Sequence, residues 1–109
     1  MTTREVAARH LVEALDDPLL KALADPTRCD LVRKLVLQGP ADVATIAAGY
    51  AQDRSVISRH LRVLLDAGVA RATKDGRHVY YDLDGPALLD RLDKIVSKAR
   101  TLVQICCPK

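Results

Sequence analysis

The stretch Asp53-Arg54-Ser55-Val56-Ile57-Ser58-Arg59-His60-Leu61-Arg62-Val63-Leu64-Leu65-Asp66-Ala67-Gly68 decides the reading of this chain. Ile57, Leu61 and Leu64 recur at helical spacing and form an apolar stripe. Asp53 offers a capped start and Gly68 a stop. The opposite face carries Arg54, Ser55, Ser58, Arg59 and Arg62. A surface helix usually mixes charge signs, whereas this one gathers cations and short hydroxyls from its first turn. In a helix-turn-helix that turn is the end which reaches base edges.

Working outward toward the N-terminus, the short segment Asp42 to Gly49 turns Val43, Ile46 and Ala47 inward. Gly49-Tyr50-Ala51-Gln52-Asp53 then leads into the cationic helix. Two short helices joined by a tight turn, over residues 42–66, form a helix-turn-helix. Upstream, Asp17-Pro18 and Asp25-Pro26 each join a capping carboxylate to a proline suited to the first helical turn. The segment from Pro26 to about Leu37 places Leu31 and Leu35 in one row and Cys29, Val32 and Val36 in the next. It stops at Gln38-Gly39-Pro40. Residues 3–15 form a further helix through Val6, His10 and Leu11.

Beyond Gly68 the periodicity changes from helical to extended. Asp75-Gly76 lies between two such runs, a two-residue hairpin in which both turn positions take positive φ. This hairpin, residues 69–83, carries Lys74 and Arg77, with Arg71 beside them. After Gly85-Pro86 a last helix, residues 86–105, spaces Leu88, Leu92, Ile95, Ala99, Leu102 and Cys106 as a coiled-coil seam, widened by Leu89, Val96 and Val103. So long a seam exceeds what a small domain needs. The first and last helices are therefore expected to pair with a second copy.

The bulk composition agrees with this organisation. Of the 109 residues 49% are hydrophobic and only 3% aromatic, so the core is packed from aliphatic side chains, as suits helices. The expected architecture is one mainly α domain over residues 1–109 with a β-hairpin wing, a homodimeric winged helix-turn-helix of about five helices. A net charge of +3 is mild; the case for nucleic acid rests on where the charge is gathered. No apolar run approaches the roughly 18–20 residues that span a bilayer, and no signal-peptide core opens the chain, so the expected compartment is the cytoplasm. Glycine-rich phosphate loop, nucleophile elbow and paired catalytic carboxylates are all missing, which argues against an enzyme.

Four blocks occur in order: Leu20-Lys21-Ala22-Leu23-Ala24-Asp25-Pro26-Thr27-Arg28, Val56-Ile57-Ser58-Arg59-His60-Leu61-Arg62-Val63-Leu64, Ala67-Gly68-Val69 and Gly76-Arg77-His78-Val79-Tyr80-Tyr81. In them the chain resembles the ArsR/SmtB family of small winged-helix repressors, over residues 5 to 105. The resemblance implies a homodimer on a palindromic double-stranded DNA operator that it leaves when an inducer binds. Two copies of the cationic helix would enter successive major grooves about 34 Å apart. Arg54, Ser55 and Ser58 are the candidates for base edges, Arg59 and Arg62 for phosphates, and Lys74 and Arg77 for phosphates or the adjacent minor groove. His60 reads as a structural residue.

The chain departs from the family's best known metal sites. Ala41-Asp42-Val43-Ala44-Thr45-Ile46 carries no thiol where a Cys-x-Cys box would stand, and the last helix has no histidine. What remains is Cys29 with the vicinal pair Cys106-Cys107. Three soft sulfurs without a fourth ligand suit a three-coordinate thiophilic centre such as As(III) better than tetrahedral zinc. The closing Cys-Cys resembles that of family members which sense trivalent arsenicals. Two alternatives stay open: a persulfide or redox switch joining Cys29 to Cys106 or Cys107, and constitutive DNA binding without inducer. No obligatory cofactor is expected.

Overall fold

The structure, a computed structural model, describes residues 1–108. Among them six helices and one hairpin follow in the order α1 (Thr3–Leu15), α2 (Pro18–Leu23), α3 (Pro26–Gln38), α4 (Val43–Ala47), α5 (Arg54–Asp66), β1 (Ala70–Asp75), β2 (His78–Leu83) and α6 (Gly85–Cys106). The helices number six where about five are expected, and both Asp-Pro steps start a helix as read. The Asp17 carboxylate accepts from Leu19 N–H at 2.8 Å, and Asp25 accepts from Thr27 N–H at 2.8 Å and Arg28 N–H at 3.2 Å. Each proline stands where its missing N–H costs nothing. Asp42 caps α4 through Thr45 N–H at 2.8 Å, and Asp84 caps α6 through Ala87 N–H at 3.1 Å.

One cap departs from the sequence reading. Asp53 occupies the N-cap position of α5 with extended backbone, but its side chain makes no capping hydrogen bond.

The core is aliphatic. Leu19, Leu31, Ile46, Ile57, Leu61, Leu64 and Val69 are fully buried together, with Leu35 beside them. The inward stripes read for α3, α4 and α5 are therefore the ones that α2–α5 and the root of the hairpin share. The hairpin differs from expectation by one residue. Asp75 pairs with His78, so the two-residue loop is Gly76-Arg77 and not Asp75-Gly76, and among the loop residues only Gly76 takes positive φ, at 63°. Glycine at the first central position suits a type II′ turn, which needs a single residue in that region. At its root the hairpin is tied to the body by a two-way bridge. Ala41 N–H donates to Tyr81 O at 3.0 Å, and Tyr81 N–H to Ala41 O at 2.8 Å.

α1 packs along α6 and away from the rest, drawing the molecule out to 54 × 25 × 23 Å. The seam read on α6 divides into two faces. Leu88 and Ile95 pack against the core, whereas Leu89, Leu92, Val96 and Val103 are exposed, as are Val12 and Leu15 on α1. No helix among the described residues is long and apolar enough to cross a membrane.

Candidate nucleic-acid interface and thiol pair

Burial of Ile57, Leu61 and Leu64, each 0% exposed, fixes how α5 is rotated. With that stripe against the core, Arg54, Ser55, Arg59 and Arg62 are exposed and Ser58 is half-buried at their edge. The wing adds Lys74 and Arg77, both exposed. The seven residues singled out for DNA are thus all on the outside of α5 and the wing. They are not equal in charge. Arg62 Nε pairs with Asp66 Oδ1 at 3.3 Å, one helical turn on, whereas Arg54, Arg59, Lys74 and Arg77 form no ion pair among the described residues. Arg71 is committed across the hairpin to Asp82 at 3.3 Å.

Side chains that the sequence did not single out hold this surface in place. Arg28 Nε donates to Ala22 O at 2.7 Å, and its Nη1 lies 3.3 Å from His60 Nδ1. The guanidinium has only donors, so it meets His60 Nδ1 as an acceptor and clamps α5 to the α2–α3 corner. His60 is thereby the structural residue expected. The turn before α5 is pinned a second way: Tyr50 O–H donates to Asp30 Oδ2 at 2.6 Å, and Arg33 Nε donates to Asp30 Oδ1 at 2.8 Å. The Arg33 hydrogen bond, with that of Tyr50, pulls the Asp30 carboxyl down to about 2. Burial and the Asp30 hydrogen bond push the Tyr50 phenol well above its ordinary value.

The thiols fall into two places. Cys106 Sγ and Cys107 Sγ stand 3.1 Å apart at the end of α6. Hydrogen bonding to Cys106 is the largest of the effects that raise the Cys107 thiol above its ordinary value, opposed by the positive charge of Arg4. Cys29 is exposed near the start of α3 and donates its S–H to Leu23 O at 2.8 Å. Within one protomer it does not share the burial of Leu31 and Leu35. Among the described residues of one chain, no three His, Cys, Asp or Glu side chains gather as a metal site. Two of the three sulfurs meet within a protomer.

Comparison with known proteins agrees with this geometry. Residues 25–72, from the Asp25 cap through the cationic helix into β1, match the family model "Bacterial regulatory protein, arsR family". The chain is 32% identical over 87 residues to the cadmium resistance transcriptional regulatory protein CadC homolog of Staphylococcus aureus, covering 80% of this chain and 72% of that one. Among solved structures, one described as a "possible transcriptional regulator for arsenical resistance" is 38% identical, with a TM-score of 0.62 over 80% of this chain and 84% of its own. The homodimeric winged helix-turn-helix DNA-binding domain Mb0332 of Mycobacterium bovis is 26% identical, with a TM-score of 0.60 over 92% and 90% of the two chains.

Proposed function

The chain belongs to the ArsR family of bacterial regulatory proteins, DNA-binding transcriptional regulators and not enzymes, and from that premise we propose an operator-bound repressor released by a trivalent arsenical or similar soft metalloid. It works in the cytoplasm as a homodimer. The observation that carries the DNA half is the single rotation of α5 that buries Ile57, Leu61 and Leu64 and leaves Arg54, Ser55, Arg59 and Arg62 outward. In the dimer α1 and α6 pair through Leu89, Leu92, Val96 and Val103, exposed in the protomer. The Mycobacterium bovis neighbour is itself homodimeric, which supports the pairing. Two-fold symmetry then calls for an inverted repeat. Arg54, Ser55 and Ser58 face base edges, while Arg59, Arg62, Lys74 and Arg77 face phosphates.

The inducer half rests on the 3.1 Å separation of Cys106 and Cys107. Two sulfurs this close chelate one thiophilic atom without moving the backbone far. With arsenite two S–As bonds form and two As–O bonds break, and the departing hydroxyls leave as water with the two thiol protons. The overall exchange is neutral, because each thiol proton leaves with a hydroxyl as water, while each sulfur attacks and ligates as its thiolate. The third sulfur, Cys29, completes the coordination from a neighbouring part of the dimer. The pair lies on the pairing helix, so binding there shifts the dimer toward a state whose recognition helices no longer match the operator spacing.

Anisotropy of a labelled operator, titrated with protein and then with phenylarsine oxide, tests the proposal. Wild-type protein should be released, and the Cys106→Ser, Cys107→Ser variant should stay bound. Release of a variant lacking all three thiols would sink the inducer half and leave the DNA half intact. Release only by an organic persulfide, dependent on Cys29, would mark the redox alternative, and indifference to every thiol reagent a constitutive binder.

A further inference from the structure

α6 follows β2 directly and meets the winged-helix body through Leu88 and Ile95, which pack against the core. Such apolar contacts have no direction, so by themselves they let a long helix slide or tilt. One turn beyond Leu88 and one before Ile95, on the same face, stands Arg91. Among the described residues it makes every polar side-chain contact between α6 and the other elements. Its Nη1 donates to Ala67 O, and its Nη2 pairs with Asp17 Oδ1 at 3.3 Å. Ala67 is the C-cap of α5, and Asp17 is the N-cap of α2. The guanidinium thus sits where the recognition helix exposes unpaired carbonyls and negative dipole, a favourable place for a cation. Its planar fork fixes direction as well as distance.

Gly68 completes the fit. It takes φ of +78°, and a Cβ there would lie 2.9 Å from Arg91 Nη1 and 3.5 Å from its Cδ. The chain reverses beneath the guanidinium with only a glycine between them.

We infer that Arg91 is a positioning residue that sets the angle between the pairing helix α6 and the recognition helix α5, and hence the separation of the two recognition helices in the dimer. The inference rests on the dimeric operator reading above but needs no inducer. An operator read by two rigidly spaced helices tolerates little change in half-site separation, because each added base pair both shifts and rotates the second half-site.

The test is affinity against spacer length, measured on inverted repeats differing by one base pair either side of the preferred spacing. For wild-type protein, affinity should fall by about tenfold or more at each step away. Arg91→Met should remain a folded dimer yet lose discrimination to about threefold or less, with Arg91→Lys and Asp17→Asn in between. A merely structural role would weaken all spacings alike. A DNA-free reading comes from spin labels at position 55 in a background with all three cysteines replaced by serine. The distance across the dimer should be narrowly distributed with Arg91 and broad with Met. Arg91→Met that is folded and dimeric and keeps wild-type discrimination overturns the inference. Should Arg91→Met fail to fold, unchanged discrimination in Arg91→Lys and Asp17→Asn overturns it equally. If wild-type protein ignores every inverted repeat, the operator reading has failed, and the distance distribution still decides the role of Arg91.

Discussion

Replacing Arg77 at the wing tip by alanine should change how salt weakens operator binding, by an amount that the structure sets. Of the cations assigned to phosphates, Arg59, Lys74 and Arg77 carry no internal partner among the described residues, while Arg62 is half-committed to Asp66. A dimer therefore offers six unpaired cations to the phosphates. Each phosphate neutralised contributes about 0.9 to the slope of log affinity against log salt, so full engagement gives a slope of about −5. Between 50 and 200 mM salt such a slope weakens binding by about 10³-fold. Arg77→Ala removes two cations per dimer and should make the slope shallower by about 1.8, as should Arg59→Ala. Ser55→Ala removes no charge. It should leave the slope alone and relax preference at one base position of each half-site. Anisotropy titrations at five or six salt concentrations supply the slopes. If Arg77→Ala and Arg59→Ala both keep the wild-type slope, the outward face of α5 and the wing do not lie against phosphates, and the docking geometry is wrong.

Three further outcomes follow from packing and charge. Leu61 is 0% exposed at the centre of the core, so Leu61→Ala should destabilise the protein by about 2–5 kcal/mol in chemical melts; a loss below about 1 kcal/mol would mean that α5 is not seated there. Val96, 45% exposed on α6, should tolerate Val96→Asp without loss of helix content while the dimer dissociates in sedimentation, and a variant still dimeric would place the interface elsewhere. Asp30, held at about 2 against an ordinary 3.8, stabilises the fold fully above about pH 4 and loses that contribution as pH falls toward 2. The stability gap between wild type and Asp30→Asn should therefore close across that window, and a gap that stays constant would remove the Arg33–Asp30–Tyr50 clamp from the account.

Much of this fold is written locally. Asp17-Pro18, Asp25-Pro26 and Asp42 name their helix starts because a short carboxylate finds the nearby N–H groups without help from the rest of the chain. The stripe of Ile57, Leu61 and Leu64 fixes which face of α5 is outward, and so where the five DNA candidates on that helix stand, while the hairpin places Lys74 and Arg77. What was misread depends on choices that local chemistry leaves open. Asp53 has the residue type of a cap but leaves that role unfilled. Asp75-Gly76 and Gly76-Arg77 are both good two-residue loops, and pairing of Ala70 with Leu83 through Asp75 with His78 selects the second. The α6 seam reads as one stripe, whereas tertiary packing gives Leu88 and Ile95 to the body and leaves Leu89, Leu92 and Val96 outside. Arg91, Arg28 and Tyr50 read as ordinary polar residues because their partners, Ala67, His60 and Asp30, are 20 or more residues away in sequence.

The most direct measurement is selection of binding sites from a random duplex library by the purified chain, followed by footprinting on the winning sequence. The account predicts an inverted repeat with half-sites about 10–10.5 base pairs apart, centre to centre, protected symmetrically on the two strands. A selected motif without two-fold symmetry, or no enrichment at low salt, would contradict it.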